Sequence, residues 1–223
     1  MVLKSIILMK KIFLLLFLVC IFVSSYAQNV TVGTAGKPLR VSVVKNNIEG
    51  SAYFNEAYAA CKIKTANQEE FTLKVLRYNI ETQQLEYSEN NNVYTVQDSV
   101  QSFIVPDSLG NAHHFAKMKI DNAEGFYEVA VSGNIMLLKQ YVIKKDVAED
   151  WYTKKKVTKL GMYISYFAGK NGTFQKLIPS AKNVANALVS KKDQILAYIK
   201  NEQLEPKEDQ DLIKIFEYYN SLN

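Results

Sequence analysis

The side chains with the greatest capacity for catalysis are one cysteine and two histidines. Cys61 could act as a nucleophile if an imidazole took its proton, and the chain offers His113 and His114 for that role. Adjacent residues of a strand point to opposite faces, so the two histidines are poorly placed to share a metal ion. Cys61 lies in the strand-like segment 58–63, which favours a buried thiol.

The motifs of well-known enzyme classes are missing from the sequence. It contains no Gly-rich nucleotide loop, no GxSxG nucleophile motif and no HExxH zinc motif. The other cysteine, Cys20, lies in an apolar N-terminal run that is predicted to be cleaved off as a signal peptide. Cys61 is then left without a partner for a disulfide or a zinc site. We therefore predict a protein that is not an enzyme and that uses no cofactor or metal.

Two aromatic segments are candidates for ligand binding. Tyr53, Phe54 and Asn55 lie in a polar, loop-like stretch, where the rings could stack on a sugar or a peptide. The alternative is that these rings close the end of a sheet. Trp151 lies in a less regular stretch at 146–159, where lysines from Lys144 to Lys159 cluster. That stretch fits either a patch for lipid headgroups or acidic glycans, or a solvated loop of mixed charge.

The elements that must position these residues are mostly strands. Apolar and polar residues alternate along segments such as 39–44 and 71–76, which predicts half-buried strands with one face on a core. Turn-forming residues recur about every 8–14 positions, a spacing typical of antiparallel sandwiches and barrels. Hairpin turns are predicted at 66–70, 90–92, 106–111, 132–134 and 169–172.

Beyond residue 178 the pattern changes to helices. Ser180 is predicted to cap a short helix, Ser190 to cap a second helix, and Pro206 to stand at the first position of a third. The last two helices each carry one apolar face, which they can bury only by packing on each other and on the sheet.

The predicted fold class is α+β, with a mostly antiparallel β-sheet body and a C-terminal pair of amphipathic helices. The body is expected to be a sandwich or a half-open barrel and to span 28–178. The helical tail, 179–223, is expected to pack on the body as one structural unit. Residues 1–27 are predicted to be a signal peptide.

The signal peptide is predicted from three features that occur in order. Lys10 and Lys11 precede an apolar run at 12–23, and a small-x-small site ends at Ala27, directly before Gln28. The run is shorter than the roughly 20 residues that a membrane-spanning helix needs. Cleavage between Ala27 and Gln28 lowers the formal charge from +5 to +2, because the leader holds three lysines and no acid. A nearly neutral chain predicts no nucleic-acid partner, and no integral membrane segment remains after cleavage.

Several segments of the chain carry a family resemblance: EGSAYFNE at 49–56, LRYNI at 76–80, LEY at 85–87 and DLIKIFEYYN at 211–220. With these segments the sequence resembles a group of uncharacterised secreted or periplasmic proteins of Bacteroidota-type bacteria. The resemblance implies no catalytic residue. The helical end does not look like the β-rich sorting domain that sends related proteins across the outer membrane, which favours a periplasmic location, with release to the exterior or association with the outer membrane as alternatives.

Two glycosylation sites follow from the same resemblance. Asp98-Ser99-Val100 and Asp107-Ser108-Leu109 look like the short Asp-Ser/Thr-apolar acceptor of periplasmic O-glycosylation in such bacteria. Ser99 and Ser108 would be the modified residues.

The function that the sequence favours is that of an exported, non-enzymatic cell-envelope protein that acts as a binding or structural module. Its partner would be an envelope protein or a glycan. One alternative is a ligand-binding β-barrel for a small apolar or glycan ligand. The other is a thiol or hydrolase-type enzyme built on Cys61 and a histidine.

Export can be tested by the intact mass of the protein isolated from its native host. We expect an N-terminus at Gln28, because signal peptidase cleaves after the small residue Ala27. A mass that begins at Met1 or Met9 would contradict export by this route. A mass equal to the bare polypeptide 28–223 would rule out glycosylation at Ser99 and Ser108.

Overall fold

The described part of the chain begins after the predicted leader. The computed structural model describes residues 47–90, 92–149, 151–152 and 154–222. The predicted cleavage site at Ala27 and Gln28 and the predicted strand at 39–44 lie outside these residues.

Strands make up most of the described structure. They are β1 (Asn47–Glu49), β2 (Ala59–Thr65), β3 (Glu70–Asn79), β4 (Gln84–Glu89), β5 (Asn92–Thr95), β6 (Val100–Pro106), β7 (Ala112–Ile120), β8 (Ala123–Val131), β9 (Met136–Glu149), β10 (Lys156–Lys170) and β11 (Thr173–Leu177). Three α-helices follow: α1 (Ala181–Ala187), α2 (Lys192–Asn201) and α3 (Asp209–Ser221), with a 3₁₀ turn at Val189–Lys191 between the first two.

The described strands form one large, mostly antiparallel sheet. Its order is β1-β10-β9-β8-β7-β6-β2-β3-β4-β5, and β11 also pairs with β10. The pairing of β1 with β10 is parallel, and the other pairings are antiparallel. The sheet is not closed, because β5 at one end and β1 at the other do not pair. The predicted α+β class, an antiparallel body with C-terminal helices, is therefore confirmed.

The structure has turns at the five predicted positions, whereas the turns between β3 and β4 and between β7 and β8 were not predicted. Between β10 and β11, Asn171 has φ +53° and Gly172 has φ +79°. Two successive positive φ values match the twist of a two-residue hairpin, which is why Asn-Gly is favoured there. Turns likewise separate β2 from β3, β4 from β5, β6 from β7 and β8 from β9.

The lysine-rich stretch differs from its prediction as an irregular loop. β9 continues to Glu149, and β10 starts at Lys156. These two residues pair with each other, so the hairpin is paired to its end. Charged residues interrupt the apolar alternation because both faces of this hairpin end are exposed to solvent. Period-two alternation marks a strand only where one of its faces is buried.

Of the three described helices, α1 begins where the sequence predicted, whereas α2 and α3 begin at other residues than predicted. Ser180 caps α1 as predicted, since its hydroxyl accepts a hydrogen bond from Asn183 N at 3.3 Å. Ser190 does not cap α2: it lies in the 3₁₀ turn, and its Oγ is 2.8 Å from the Tyr219 hydroxyl. Pro206 is itself buried but lies in a turn before Glu208, the N-cap of α3, so it is not the first residue of that helix.

The helices pack on one face of the sheet, called here the inner face. One cluster on this face joins helix residues such as Leu188, Ile195 and Leu212 to sheet residues such as Leu137 and Leu177, all at most 6% exposed. A second cluster fills the space around β2, β3, β6 and β7 with apolar and aromatic side chains. Asn46–Asn223 forms one compact unit that contains both.

Candidate functional site

A row of side chains crosses the inner face at the boundary between the two clusters. Strand register places Phe115 opposite Glu128, Glu128 opposite Lys139, and Lys139 opposite Tyr166. Residues directly opposite each other in a sheet point to the same face. The row therefore places a carboxylate and an ammonium side by side in an otherwise apolar layer, where Glu128 is 5% and Lys139 is 2% exposed.

Lys139 joins the sheet to the first turn of α3. Its Nζ lies 3.2 Å from Glu128 Oε2 and 2.9 Å from Asp209 Oδ2. The Tyr166 hydroxyl donates to the other oxygen of Asp209 at 3.2 Å. A carboxylate at the N-terminal end of a helix is also favoured by the helix dipole. Asp209 therefore provides a counter-charge for Lys139 and is also the first residue of α3.

Glu128 holds three donors on its two oxygens. The Tyr141 hydroxyl donates to Oε2, which also faces Lys139, and His113 Nδ1 lies 2.8 Å from Oε1. Burial alone would raise the pKa of Glu128, but the contact with His113 and the charge of Lys139 lower it below its usual value. Burial and the neighbouring Glu128 carboxylate raise the pKa of Tyr141, which stays a neutral donor.

His113 bridges two carboxylates with its two ring nitrogens. Nδ1 faces Glu128, and Nε2 lies 3.4 Å from Asp107 Oδ2. The hydrogen bond to Glu128 raises the pKa of His113 despite its partial burial. Asp107 is held by Asn111, whose side chain is the main reason that the pKa of Asp107 falls to about 2. The imidazole is therefore fixed between acids on opposite sides.

The network is saturated with internal partners. Within the described residues, no buried side-chain nitrogen or oxygen lacks a hydrogen-bond partner, and no group of three His, Cys, Asp or Glu side chains is arranged to hold a metal ion. A charged group that is buried and paired holds its neighbours in one arrangement, because separating the pair would leave an uncompensated charge. The arrangement is suited to fixing the helices on the sheet.

Cys61 is not brought to either histidine. The thiol is 1% exposed, and its Sγ lies 3.5 Å from Ala59 O and 3.8 Å from Leu76 O. Burial raises its pKa to about 11, which disfavours the thiolate. β6 separates β2 from β7, so Cys61 and His113 are about 10 Å apart across two strand spacings. His114 is exposed, on the face opposite to His113.

The predicted aromatic segment closes the sheet instead of forming an open platform. Phe54 packs edge-on against His113 at 5.0 Å and against Phe115 and Tyr141 at 5.1 and 5.2 Å between ring centroids. Asn55 donates to Pro106 O at 3.3 Å, which fixes the loop. These contacts match the alternative interpretation of this segment.

Tyr53 belongs to a second polar cluster, on the outer face of the sheet. The Arg77 guanidinium lies 3.6 Å from the centre of the Tyr53 ring, and its Nη2 donates to the Tyr53 hydroxyl at 2.7 Å. Arg77 also pairs with Glu86 at 3.0 Å, and Asn79 donates to the same carboxylate at 2.9 Å. The Tyr53 side chain, like that of Phe54, is therefore engaged in contacts within the protein.

Among the surfaces of the described residues that carry exposed apolar side chains, two are considered as binding surfaces. The first is a groove of about 620 Å³ beside the β3–β5 end of the sheet, called here the edge groove. Its apolar lining consists of Ile63, Phe71, Leu73, Val75, Tyr87 and Val96. The second is the end of the β9–β10 hairpin, where Trp151 is 81% and Tyr152 is 79% exposed. Trp151 is therefore in a different place from Tyr53 and Phe54.

A polar cleft and the two serines complete the surface. The cleft, about 690 Å³, lies between the β10–β11 turn and α1, and its polar lining includes Asn171, Gln175 and Asn183. Ser99 and Ser108 are both exposed, Ser108 in the β6–β7 turn. Access to a modifying enzyme is thus open at both serines.

No family model, curated protein or solved structure matches this chain. Among the described residues, no helix has the length and hydropathy needed to cross a bilayer.

The network was missed by the sequence analysis, although a signal for it exists. Lys139 stands at an inward position of the alternation Leu137, Lys139, Tyr141, and Glu128 stands two residues after the buried Phe126. A lysine and a glutamate at core positions of neighbouring strands predict a buried pair, provided that the strand register is known.

Replacing Lys139 by Met should destabilise the protein by about 3 kcal/mol, because it leaves two carboxylates facing each other without the ammonium. Urea unfolding measures this loss. Lys117→Met is the matched control, since Lys117 pairs with Glu124 at 3.3 Å on the surface. That variant should change stability by less than about 0.5 kcal/mol. Equal effects of the two substitutions would contradict the structural role of the network.

Replacing His113 by Gln should remove one step from the pH dependence of stability. Because the pKa of His113 is raised in the folded protein, its contribution to the free energy of unfolding is fully present below the ordinary pKa of 6.5. That contribution is lost as the pH rises through the raised pKa. Glu128 acts in the opposite sense, because its lowered pKa makes its contribution disappear only in acid. Urea unfolding between about pH 6 and 9 should show a decline for the wild type that His113→Gln lacks. The same decline in both proteins would contradict the His113–Glu128 contact.

Proposed function

We propose that this chain is an exported, non-enzymatic cell-envelope protein that binds an extended segment of a partner protein in its edge groove. The leader-like N-terminus and the resemblance to secreted or periplasmic proteins of Bacteroidota-type bacteria support export and a periplasmic location. The observation that carries the binding role is the edge groove itself, an apolar channel beside an edge strand.

The edge groove exposes more apolar surface than its strands need for folding. Phe71 is 45% and Val75 is 44% exposed, although both belong to a strand whose later residues Leu76 and Tyr78 are fully buried. The Tyr87 and Tyr94 rings stack at 5.1 Å and extend this surface to β5. Contiguous exposed apolar surface of this kind marks interaction sites.

The backbone beside the edge groove favours an extended occupant. β5 pairs with β4 from Glu86–Thr95 to Glu89–Asn92 and is the terminal strand of the described sheet. An extended peptide can add to such a strand through main-chain hydrogen bonds, while its alternate side chains enter an adjoining groove. A strand with an apolar residue at every second position fits both features.

The burial of the reactive groups supports a non-enzymatic role. The imidazole of His113 is held between Glu128 and Asp107, and the Cys61 thiol is buried with a pKa raised to about 11. A general base or a thiol nucleophile needs access to its substrate and hydrogen-bond reach of its partner.

A small apolar ligand is the second candidate for the edge groove. The volume of about 620 Å³ falls within the range of about 300–1,000 Å³ that is common for ligand sites. The space between β3 and β7 offers less room, because Tyr78, Phe103 and Phe115 fill it and are at most 1% exposed.

Photo-crosslinking from the edge strand tests the proposal. Benzoylphenylalanine at Tyr94, irradiated in envelopes of the native host, should give one discrete protein adduct. Val75→Lys should weaken that adduct at least about fivefold, because it places a charge in an apolar groove. Val189→Lys is the matched control, since Val189 is 75% exposed and lies outside the edge groove.

The outcomes separate the candidates. A low-mass adduct that Val75→Lys abolishes would favour the small ligand. An adduct that Val75→Lys and Val189→Lys affect equally, or the lack of any adduct, would contradict a role for the edge groove. Saturable turnover of an envelope substrate that is lost on replacing one polar side chain would contradict the non-enzymatic role.

A further inference from the structure

The end of the β9–β10 hairpin extends beyond its pairing with β8. β8 pairs with β9 only between Glu128–Lys139 and Val131–Leu137, whereas β9 and β10 stay paired up to Glu149 and Lys156. Residues 144–159 at this end are called here the hairpin tip.

The hairpin tip presents large apolar side chains to solvent. Trp151 and Tyr152 contact each other at 5.7 Å between ring centroids and are 81% and 79% exposed. On the adjoining strands, Val147 and Ile48 are 59% and 58% exposed. Both of them pair with Thr158, one from each side, so they share a face. Single exposed apolar residues are ordinary, but three at the end of this hairpin, with Ile48 on the neighbouring β1, mark an interaction surface.

Positive charge is concentrated at the same end. The hairpin tip holds six lysines and three acidic residues, a formal charge of +3, while residues 28–223 as a whole carry +2. All six lysines are exposed. Lys145, Lys154 and Lys159 pair with Glu81, Glu149 and Glu49 at 2.5, 3.7 and 3.5 Å, contacts that surface exposure makes weak.

We propose that the hairpin tip docks on an anionic lipid surface, with the Trp151 and Tyr152 rings in the headgroup layer and the lysines near the phosphates. Trp and Tyr favour the membrane–water interface because one end of the ring is apolar and the other is polar. Lysines beside them are attracted to anionic headgroups. This surface is separate from the edge groove, so the protein can rest on a membrane and hold a partner at the same time.

The composition of the hairpin tip favours lipid over other partners. Protein interfaces are depleted in lysine, whereas six lysines surround these aromatic residues. Nucleic-acid binding needs an extended positive field, and the rest of the chain from residue 28 carries no net positive charge.

Fluorescence of Trp151 tests docking directly, because it is the one Trp of the chain. The processed protein is mixed with vesicles of phosphatidylcholine containing about 30 mol % phosphatidylglycerol, and separately with pure phosphatidylcholine vesicles. With the anionic vesicles, the emission should shift to the blue and be quenched by brominated lipid. The shift should weaken as salt is added, since the attraction is electrostatic.

Variants assign the binding to the hairpin tip. In vesicle sedimentation, Trp151→Ala should lower partitioning at least about tenfold, while Leu109→Ala, at an 85% exposed residue of the β6–β7 turn, should leave it unchanged. Lys155→Glu with Lys156→Glu should abolish binding. Lys182→Glu with Lys200→Glu changes the net charge equally but lies on α1 and α2, so it should retain binding.

Three results would overturn the proposal. One is the lack of a blue shift with anionic vesicles, and another is sedimentation that Trp151→Ala leaves intact. The third is binding to heparin, a soluble anionic glycan, together with no binding to vesicles, which would assign the lysines to a glycan instead. Each result leaves the edge-groove proposal untouched, because crosslinking from Tyr94 does not involve the hairpin tip.

Discussion

The buried ammonium of Lys139 is the constraint on which the arrangement of sheet and helices depends. An ammonium that is 2% exposed is stable only if acids surround it, and the two acids come from different layers, Glu128 from β8 and Asp209 from α3. Moving the helix away would leave a charge in an apolar layer. At the other end of α3, Asn220 bonds to both backbone groups of Ile135. The helix is thus held to the sheet at both ends.

This constraint decides where binding can occur. The helices cover the inner face over β8–β11, and aromatic side chains, Phe54 among them, fill the space around β7, so little of the inner face is open. Exposed apolar side chains lie at the margins, in the edge groove and at the hairpin tip, and a further group lies along β9 and β10 at Val142, Met162, Tyr163 and Ile164. A compact unit with two separate exposed apolar surfaces is suited to bringing a partner and a surface together, which is the role that we propose.

The sequence predicted the local structure better than the long-range contacts. Alternation and Asn/Gly turns predict the hairpins because each depends on neighbouring residues, as at Asn171 and Gly172, and the burial of Cys61 follows from its strand pattern. The Lys139–Asp209 contact joins residues 70 positions apart, so it requires knowledge of how the helix lies on the sheet. The extension of β9 to Glu149 was missed because its faces are both exposed, and Ser190 was misassigned because its hydroxyl binds the distant Tyr219.

A double-mutant cycle between Lys139 and Asp209 tests the central claim most directly. Lys139→Met, Asp209→Asn and the double variant are unfolded in urea, and the coupling free energy is taken from the four stabilities. We expect a coupling of about 1–3 kcal/mol, because Asp209, itself 34% exposed, neutralises the buried ammonium of Lys139. Effects that add to within about 0.5 kcal/mol would show that Lys139 does not hold α3 on the sheet.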